Sequence, residues 1–166
     1  GVGPIHAGVI EPGHFRFICN GEKVLHLEIQ LGYQHRGLEK LLKEPGSGLR
    51  RALLAENIAG DTAVGHGLAH AQLIESFAGF EPSLSLQAER CIALELERIA
   101  VHIGDTAALC CDVAYQLGQV ACEALRTLVI NTTQFWCGNR FGKGLVRPGG
   151  SNFPLTVVIT AEILSI

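Results

Sequence analysis

The chain has 166 residues, 48% of them apolar and 17% charged, with a formal net charge of −3. That length suffices for one domain with a real core, and the charge balance gives no electrostatic basis for binding nucleic acid or an anionic membrane. No uncharged apolar run reaches the roughly 18–20 residues a spanning helix needs, and the start lacks a secretory signal pattern. Six cysteines, at 19, 91, 110, 111, 122 and 137, form neither a C-x-x-C pair nor a zinc-like Cys/His spacing. Reduced, buried thiols in a cytosolic-side protein are expected. Residue 1 is Gly, Met is absent, and Thr156 to Ile166 ends inside an apolar stretch. A fragment of a longer chain is therefore expected.

Residues 1–13, GVGPIHAGVIEPG, form a Gly/Pro-punctuated lead-in that holds His6 and Glu11, with His14 following. The next runs, His14 to Cys19 and Glu22 to Gln30, alternate as strands do. Asn20-Gly21 between them is the preferred pair for a two-residue type I′ turn. Phe15, Phe17 and Cys19 share one face of this hairpin, and Leu25, Leu27 and Ile29 share one on its return. A short helix is predicted from near Gly37 to before Glu44-Pro45-Gly46, preceded by the polar cluster Tyr33, His35 and Arg36. A second is predicted over Leu49 to Ile58, with Leu53, Leu54 and Ile58 inward.

The stretch Asn57–His70, NIAGDTAVGHGLAH, opens a helix predicted over 62–79. Asp61 or Thr62 can cap it through a side-chain oxygen. Val64, Leu68, Ala71, Ile74, Phe77 and Ala78 recur at helical spacing. Gly65 and Gly67 lie in its first two turns, each costing about 1 kcal/mol against Ala. Close approach of another backbone or a ligand is the usual reason for such glycines. His66 and His70 lie four apart on one face, and with no third ligand in view a local zinc site is the lesser reading.

Ser83 or Ser85 can cap the next helix, Leu84 to about Ile103, with Ile92, Leu96, Ile99 and Ile103 as seam and Leu84, Ala88 and Cys91 behind it. Glu95, Arg98 and His102 form a second stripe. On an exposed face they are helix-pair charges worth a few tenths of a kcal/mol; on a buried face they are a paired network that orients a site. Helix continues over Asp105 to Gln116 and, after a break near Gly118, over Gln119 to Trp136, with Ala121, Leu125, Leu128, Val129, Thr132 and Trp136 inward. Residues 138–150, GNRFGKGLVRPGG, match neither phosphate-binding glycine pattern and read as a tight structural loop. The expected class is α+β, mostly α: an N-terminal antiparallel hairpin packed on a helical body with two long antiparallel helices. The whole is one piece of a longer domain, with a β-rich part at 1–32, the helical body at 33–137, and the loop and the start of a further part at 138–166.

GPIHAGVIEPGHFRF, NGEKV with LGYQHRGLEK, AGDTAVGHGLAHAQLIES, LELERIAVHIGDTAALCCDV and a glycine loop closing in RPGG follow one another in that order. Together they resemble the large subunit of membrane-bound nickel–iron hydrogenases, including the formate hydrogenlyase type, and its relative, the quinone-site subunit of respiratory complex I. The resemblance implies that the segment matching Asn57–His66 carries, in the hydrogenases, a C-G-x-C turn whose thiolates bind the nickel–iron centre. Here Ala59 and Thr62 stand at those positions, and neither a methyl group nor a hydroxyl suits a soft metal. A nickel–iron centre is therefore not expected. Glu11 sits near the family's proton-passing glutamate, with Pro12 intervening. His14, Arg16, His35, Arg36, His66, Glu97, Arg98 and His102 match recurrent family positions.

The function implied is that of a subunit in a membrane-associated oxidoreductase complex. It would take electrons from an iron–sulfur cluster in a small-subunit partner and deliver them to a quinone or another carrier. Glu11, His14, Asp61 and His66 are the candidate catalytic residues, and His35, Arg36, Ala59, Thr62, Arg98 and His102 surround them. Membrane-arm subunits are further implied partners, with a peripheral place on the cytoplasmic side of the membrane and no span by this chain. The alternative is a non-catalytic scaffold that holds the iron–sulfur subunit against the membrane arm.

Overall fold

The computed structural model describes residues 1–6 and 12–166 and divides them into two compact units, Gly1–Leu41 and Leu42–Ile166. In the first, β1 (His14–Asn20) and β2 (Lys23–Gln30) form the expected antiparallel hairpin. Phe15 faces Ile29 and Phe17 faces Leu27, so the two apolar faces predicted for the strands coincide. The turn differs by one residue. Asn20 pairs with Lys23, which leaves Gly21-Glu22 as the two-residue loop, with Gly21 at φ 59°. A bulge between Ile18 and Cys19 shifts the register so that Cys19 faces Val24, leaving Leu25 as the extra residue. A bridge between Val2 and Phe15 adds the lead-in to the β1 edge.

α1 (Leu38–Lys43) carries the chain from the first unit into the second, whose further elements are α2 (Gly48–Ala55), α3 (Ala63–Ala78), α4 (Leu84–Asp112), α5 (Gln116–Cys137), β3 (Val146–Arg147), β4 (Gly150–Ser151) and α6 (Val157–Ile163). The Ser47 and Ser83 hydroxyls cap α2 and α4 by accepting from Arg50 N and Leu86 N. α4 is a single 29-residue helix that runs through Gly104, in line with the continuation expected there. A Cβ there would sit 3.0 Å from Arg126 Nε, so the glycine lets the Arg126 side chain cross α4. The break before α5 comes four residues earlier than expected, at Ala114, which takes a left-handed φ of 59°. Gly118 is instead helical and packs against Tyr115 and Cys110. Since Cys110 meets Gly118 and Gly104 meets Arg126, α4 and α5 run antiparallel, as expected.

The core joins Val64 and Ala71 of α3, Ala93, Leu96 and Ala100 of α4, Val129, Ile130, Trp136 and Cys137 of α5, and Leu145 and Val146 beyond it. Small residues dominate the α4 seam: Ala93, Ala100 and Ala107 are buried, whereas Ile99 and Leu84, expected inward, are exposed. Closely packed helices leave room for alanine where they approach, and larger side chains are displaced to the flanks. The same holds in α2, where Ala52 and Ala55 are buried while Leu53 faces out, and in α5, where Leu125 and Leu128 face out. α2 ends at Ala55, so Ile58, expected inward on it, lies beyond the helix and is exposed. In α3, Ile74 and Phe77 are exposed, and the buried stripe is Val64, Gly67, Ala71 and Glu75.

Glu75 is buried because Arg90 meets it in a two-pronged pair, Nη1 to Oε2 at 2.9 Å and Nη2 to Oε1 at 2.6 Å. Arg90 also donates to Arg147 O, and Gly149 N donates to Glu75 Oε1, so this pair ties α3 and α4 to the β3–β4 turn. Buried Glu56 accepts from Gly144 N and pairs with Arg147, fastening the same glycine loop to the end of α2. The loop is thus structural, as its sequence suggested. Cys137 is buried, but Cys19 of β1 and Cys91 and Cys111 of α4 are exposed, against the expectation of buried thiols; the two in α4 lie off its alanine seam.

Candidate functional site at the start of α3

Gly60 and Asp61 lead into α3, and Thr62 occupies its N-cap position. Neither proposed cap operates, since Thr62 makes no side-chain cap bond. The carboxylate of Glu97, from α4, takes that place: Val64 N donates to Oε2 at 2.6 Å and Gly65 N to Oε1 at 2.9 Å. An anion at these N–H groups satisfies two otherwise orphaned donors and complements the helix dipole. The glycines now have a cause. A Cβ on Gly65 would lie 3.1 Å from Glu97 Oε1, and one on Gly67 would lie 3.4 Å from Glu56 Cγ. Both make room for an approaching glutamate side chain.

His66 folds back on its own first turn, with Nδ1 2.9 Å from Thr62 O and 3.1 Å from Thr62 Oγ1. A carbonyl only accepts, so Nδ1 carries the proton, and in the neutral ring Nε2 is the atom that can accept one. Burial pushes the Glu97 carboxyl above its ordinary value, against the lowering effect of its two N–H bonds and of nearby His66, while the charge of Asp61 adds to the rise. Asp61, Thr62, His66 and Glu97 thus form one cluster. Glu97 is its organising residue, although the sequence marked it only as a matching position; its spacing of one residue from the Glu95/Arg98 stripe was the available signal.

Asp61 borders two spaces. One is a cavity of about 10 Å³ between α4 and α5, lined also by Glu97, Arg126 and Arg140, with room for about one water. The other is a cleft of about 400 Å³ along the same helices, lined also by Asp105, Glu123, Arg126 and Cys111. The cleft falls within the range of small-molecule sites.

The remaining predicted residues do not join this cluster within the second unit. Arg98 Nε donates to Glu95 Oε2 at 2.9 Å on the exposed face of α4, and His102 is exposed, so that stripe follows its surface reading. Ala59 is partly buried in the turn before α3. In the first unit, His14 Nδ1 lies 3.0 Å from Gly3 O, while His35 and Arg36 lie in the exposed turn before α1. Glu11 lies outside the described residues. His66 and His70 have no third ligand beside them: among the described residues, no three His, Cys, Asp or Glu side chains converge as a metal site. Ala59 offers a methyl group and the Thr62 hydroxyl is bonded to His66, so positions 59 and 62 do not fit a nickel–iron centre held by thiolates.

No family model matches the chain. It is 30% identical over 149 residues to Hydrogenase-4 component G of Escherichia coli, covering 90% of this chain and 27% of that protein. It is 29% identical over 153 residues to the alpha subunit of a membrane-bound hydrogenase of Pyrococcus furiosus, covering 89% of this chain and 34% of that one. A third relative is a subunit of the NADH-quinone oxidoreductase of Carboxydothermus hydrogenoformans, 31% identical over 151 residues, 90% of this chain and 40% of that one. The chain is a member of this superfamily of hydrogenase and NADH-quinone oxidoreductase subunits. It spans between about a quarter and two fifths of the length of these relatives. Among the described residues, no helix is long and apolar enough to cross a membrane.

Proposed function

We propose that this superfamily member belongs to a membrane-associated oxidoreductase complex and passes electrons from an iron–sulfur cluster in a partner subunit to a quinone or another carrier, without a nickel–iron centre. The observation that carries this reading is the pair Ala59 and Thr62, set in the turn where the resemblance places metal-binding thiolates. Kinship with both hydrogenase and quinone oxidoreductase subunits supports it. So does the cleft of about 400 Å³ that opens beside Asp61.

Reducing a quinone to a quinol consumes two electrons and two protons, and the partner's cluster would supply the electrons. The chain's own residues would then deliver protons. His66 Nδ1 is held by Thr62, which leaves Nε2 as the ring atom that can accept and release one. Asp61 is exposed at the rim of the cleft, and Glu97 holds the first turn of α3 so that both stay in place. The complex would lie at the cytoplasmic face, against membrane-arm subunits.

Two measurements on the intact complex test the reading. Metal analysis should give iron from the partner's cluster but no stoichiometric nickel, and nickel bound at this site would sink it. Turnover with quinone analogues should fall about 100-fold or more in Asp61→Ala and His66→Ala, the usual range for a lost proton-transfer group. Unchanged turnover in both would instead favour a scaffold that holds the iron–sulfur subunit in place.

A further inference from the structure

A second cleft, of about 360 Å³, opens on the α2–α3 side of the second unit, lined by Leu49, Arg51, Ala52, His70, Ile74 and Arg147 among others. Leu49 and Ile74 give it apolar walls that are 60% and 39% exposed. Its polar side chains are those of Arg51, His70 and Arg147, and no carboxylate side chain lines it. The Arg147 guanidinium is already engaged, paired with Glu56 and donating to Val146 O. The Arg51 guanidinium is different: among the described residues it has no ion-pair or side-chain hydrogen-bond partner, although Arg51 is partly buried. The surrounding burial and the charge of Arg51 hold His70 below the ordinary histidine value.

An apolar occupant filling this cleft would strip water from Arg51. A desolvated, unpaired charge is strongly unfavourable, so a stable occupant must bring an anion with its apolar surface. We propose that the cleft receives an acidic side chain of a partner protein, whose carboxylate pairs with Arg51 while flanking apolar residues pack on Leu49 and Ile74. This rests on the reading of the chain as one subunit of a complex. The geometry suits a bidentate contact, since a guanidinium presents two parallel N–H donors to a carboxylate.

The test uses the full-length protein in its native complex, with a photo-crosslinking phenylalanine analogue in place of Leu49. The expected product joins this position to a partner segment that has Asp or Glu within a few residues. Arg51→Gln should lower the crosslink yield at least tenfold. Arg51→Lys should restore much of it, and Arg50→Gln, whose side chain bonds Glu44 and the Pro45 carbonyl and does not line the cleft, should leave it unchanged. A complex that assembles normally but yields no partner crosslink overturns the proposal. So does a crosslink within the same chain or to a segment without a carboxylate. Arg51-dependent binding of hexanoate to the assembled complex would also overturn it, because the cleft would then be open to a free acid. A wild-type protein that co-purifies with no partner at all would instead sink the membership of a complex on which the proposal rests.

Discussion

Removing the Glu97 carboxylate probes the organisation of the candidate site most directly. In Glu97→Ala, Val64 N and Gly65 N lose their acceptors, bonded in the wild type at 2.6 and 2.9 Å. Each orphaned, desolvated N–H costs about 1–3 kcal/mol. The site is only partly buried, so water reaches it and the lower end applies to each group. Losing an anion at the helix N-terminus removes about 0.3–1 kcal/mol more. Against this, the mutant no longer buries a carboxylate whose ionisation is disfavoured by its surroundings. The expected net loss is about 2–3 kcal/mol, or about 4–12 °C in Tm for a domain of this size.

Glu97→Gln keeps one carbonyl acceptor and should lose about half as much. Urea denaturation of the wild type and both variants, followed by circular dichroism, measures this. The pH dependence provides a second readout. Glu97 has a folded pKa above its ordinary value of 4.5, so its protonation favours the fold. Stability contributed by that proton is present below 4.5 and is lost as pH rises through the folded value. Relative to the wild type, Glu97→Gln should lack this slope. An Ala variant within about 0.5 kcal/mol of the wild type would refute the role given to Glu97 as the cap of α3.

Three further outcomes follow from the same structure. Arg90→Ala should destabilise by about 3–5 kcal/mol, because it leaves the buried Glu75 carboxylate uncompensated, whereas the double variant Glu75→Leu/Arg90→Met should cost clearly less; thermal denaturation compares them. Glu75 is held below its ordinary value by its bonds to Arg90, so its contribution is present above the normal carboxylate range and lost as pH falls through its folded value. Acid titration of the wild type against that double variant should isolate this loss. Gly142→Ala should cost about 2–4 kcal/mol, since a Cβ there would lie 2.4 Å from Val64 Cγ2 on a backbone at φ 71°; a stability within error of the wild type would show that the loop can shift away from α3.

Much of the local structure was legible in the sequence. The hairpin around Asn20-Gly21 followed from strand alternation and a turn dipeptide, and Ser83, Gly79 and Gly138 marked helix ends by their backbone and side-chain chemistry. These are short-range properties, set by which φ each residue tolerates and which donors lie within a few residues. The resemblance to the superfamily was legible too, because five ordered segments retain it.

Only the tertiary structure decided which residues share a space. Helical periodicity put Ile74 and Phe77 inward, but the burial of Glu75 depends on Arg90, fifteen positions away, and on a loop beyond residue 145. The same periodicity could not separate Glu97 from the neighbouring Glu95/Arg98 stripe. The difference between them is that Glu97 faces α3 while Arg98 faces solvent, and this is set by how α4 packs. Sequence alone therefore placed Asp61, Thr62 and His66 at a helix start and showed that Ala59 and Thr62 are not cysteines. Folding supplied the carboxylate that organises that start, because two groups 32 residues apart meet only when their helices pack.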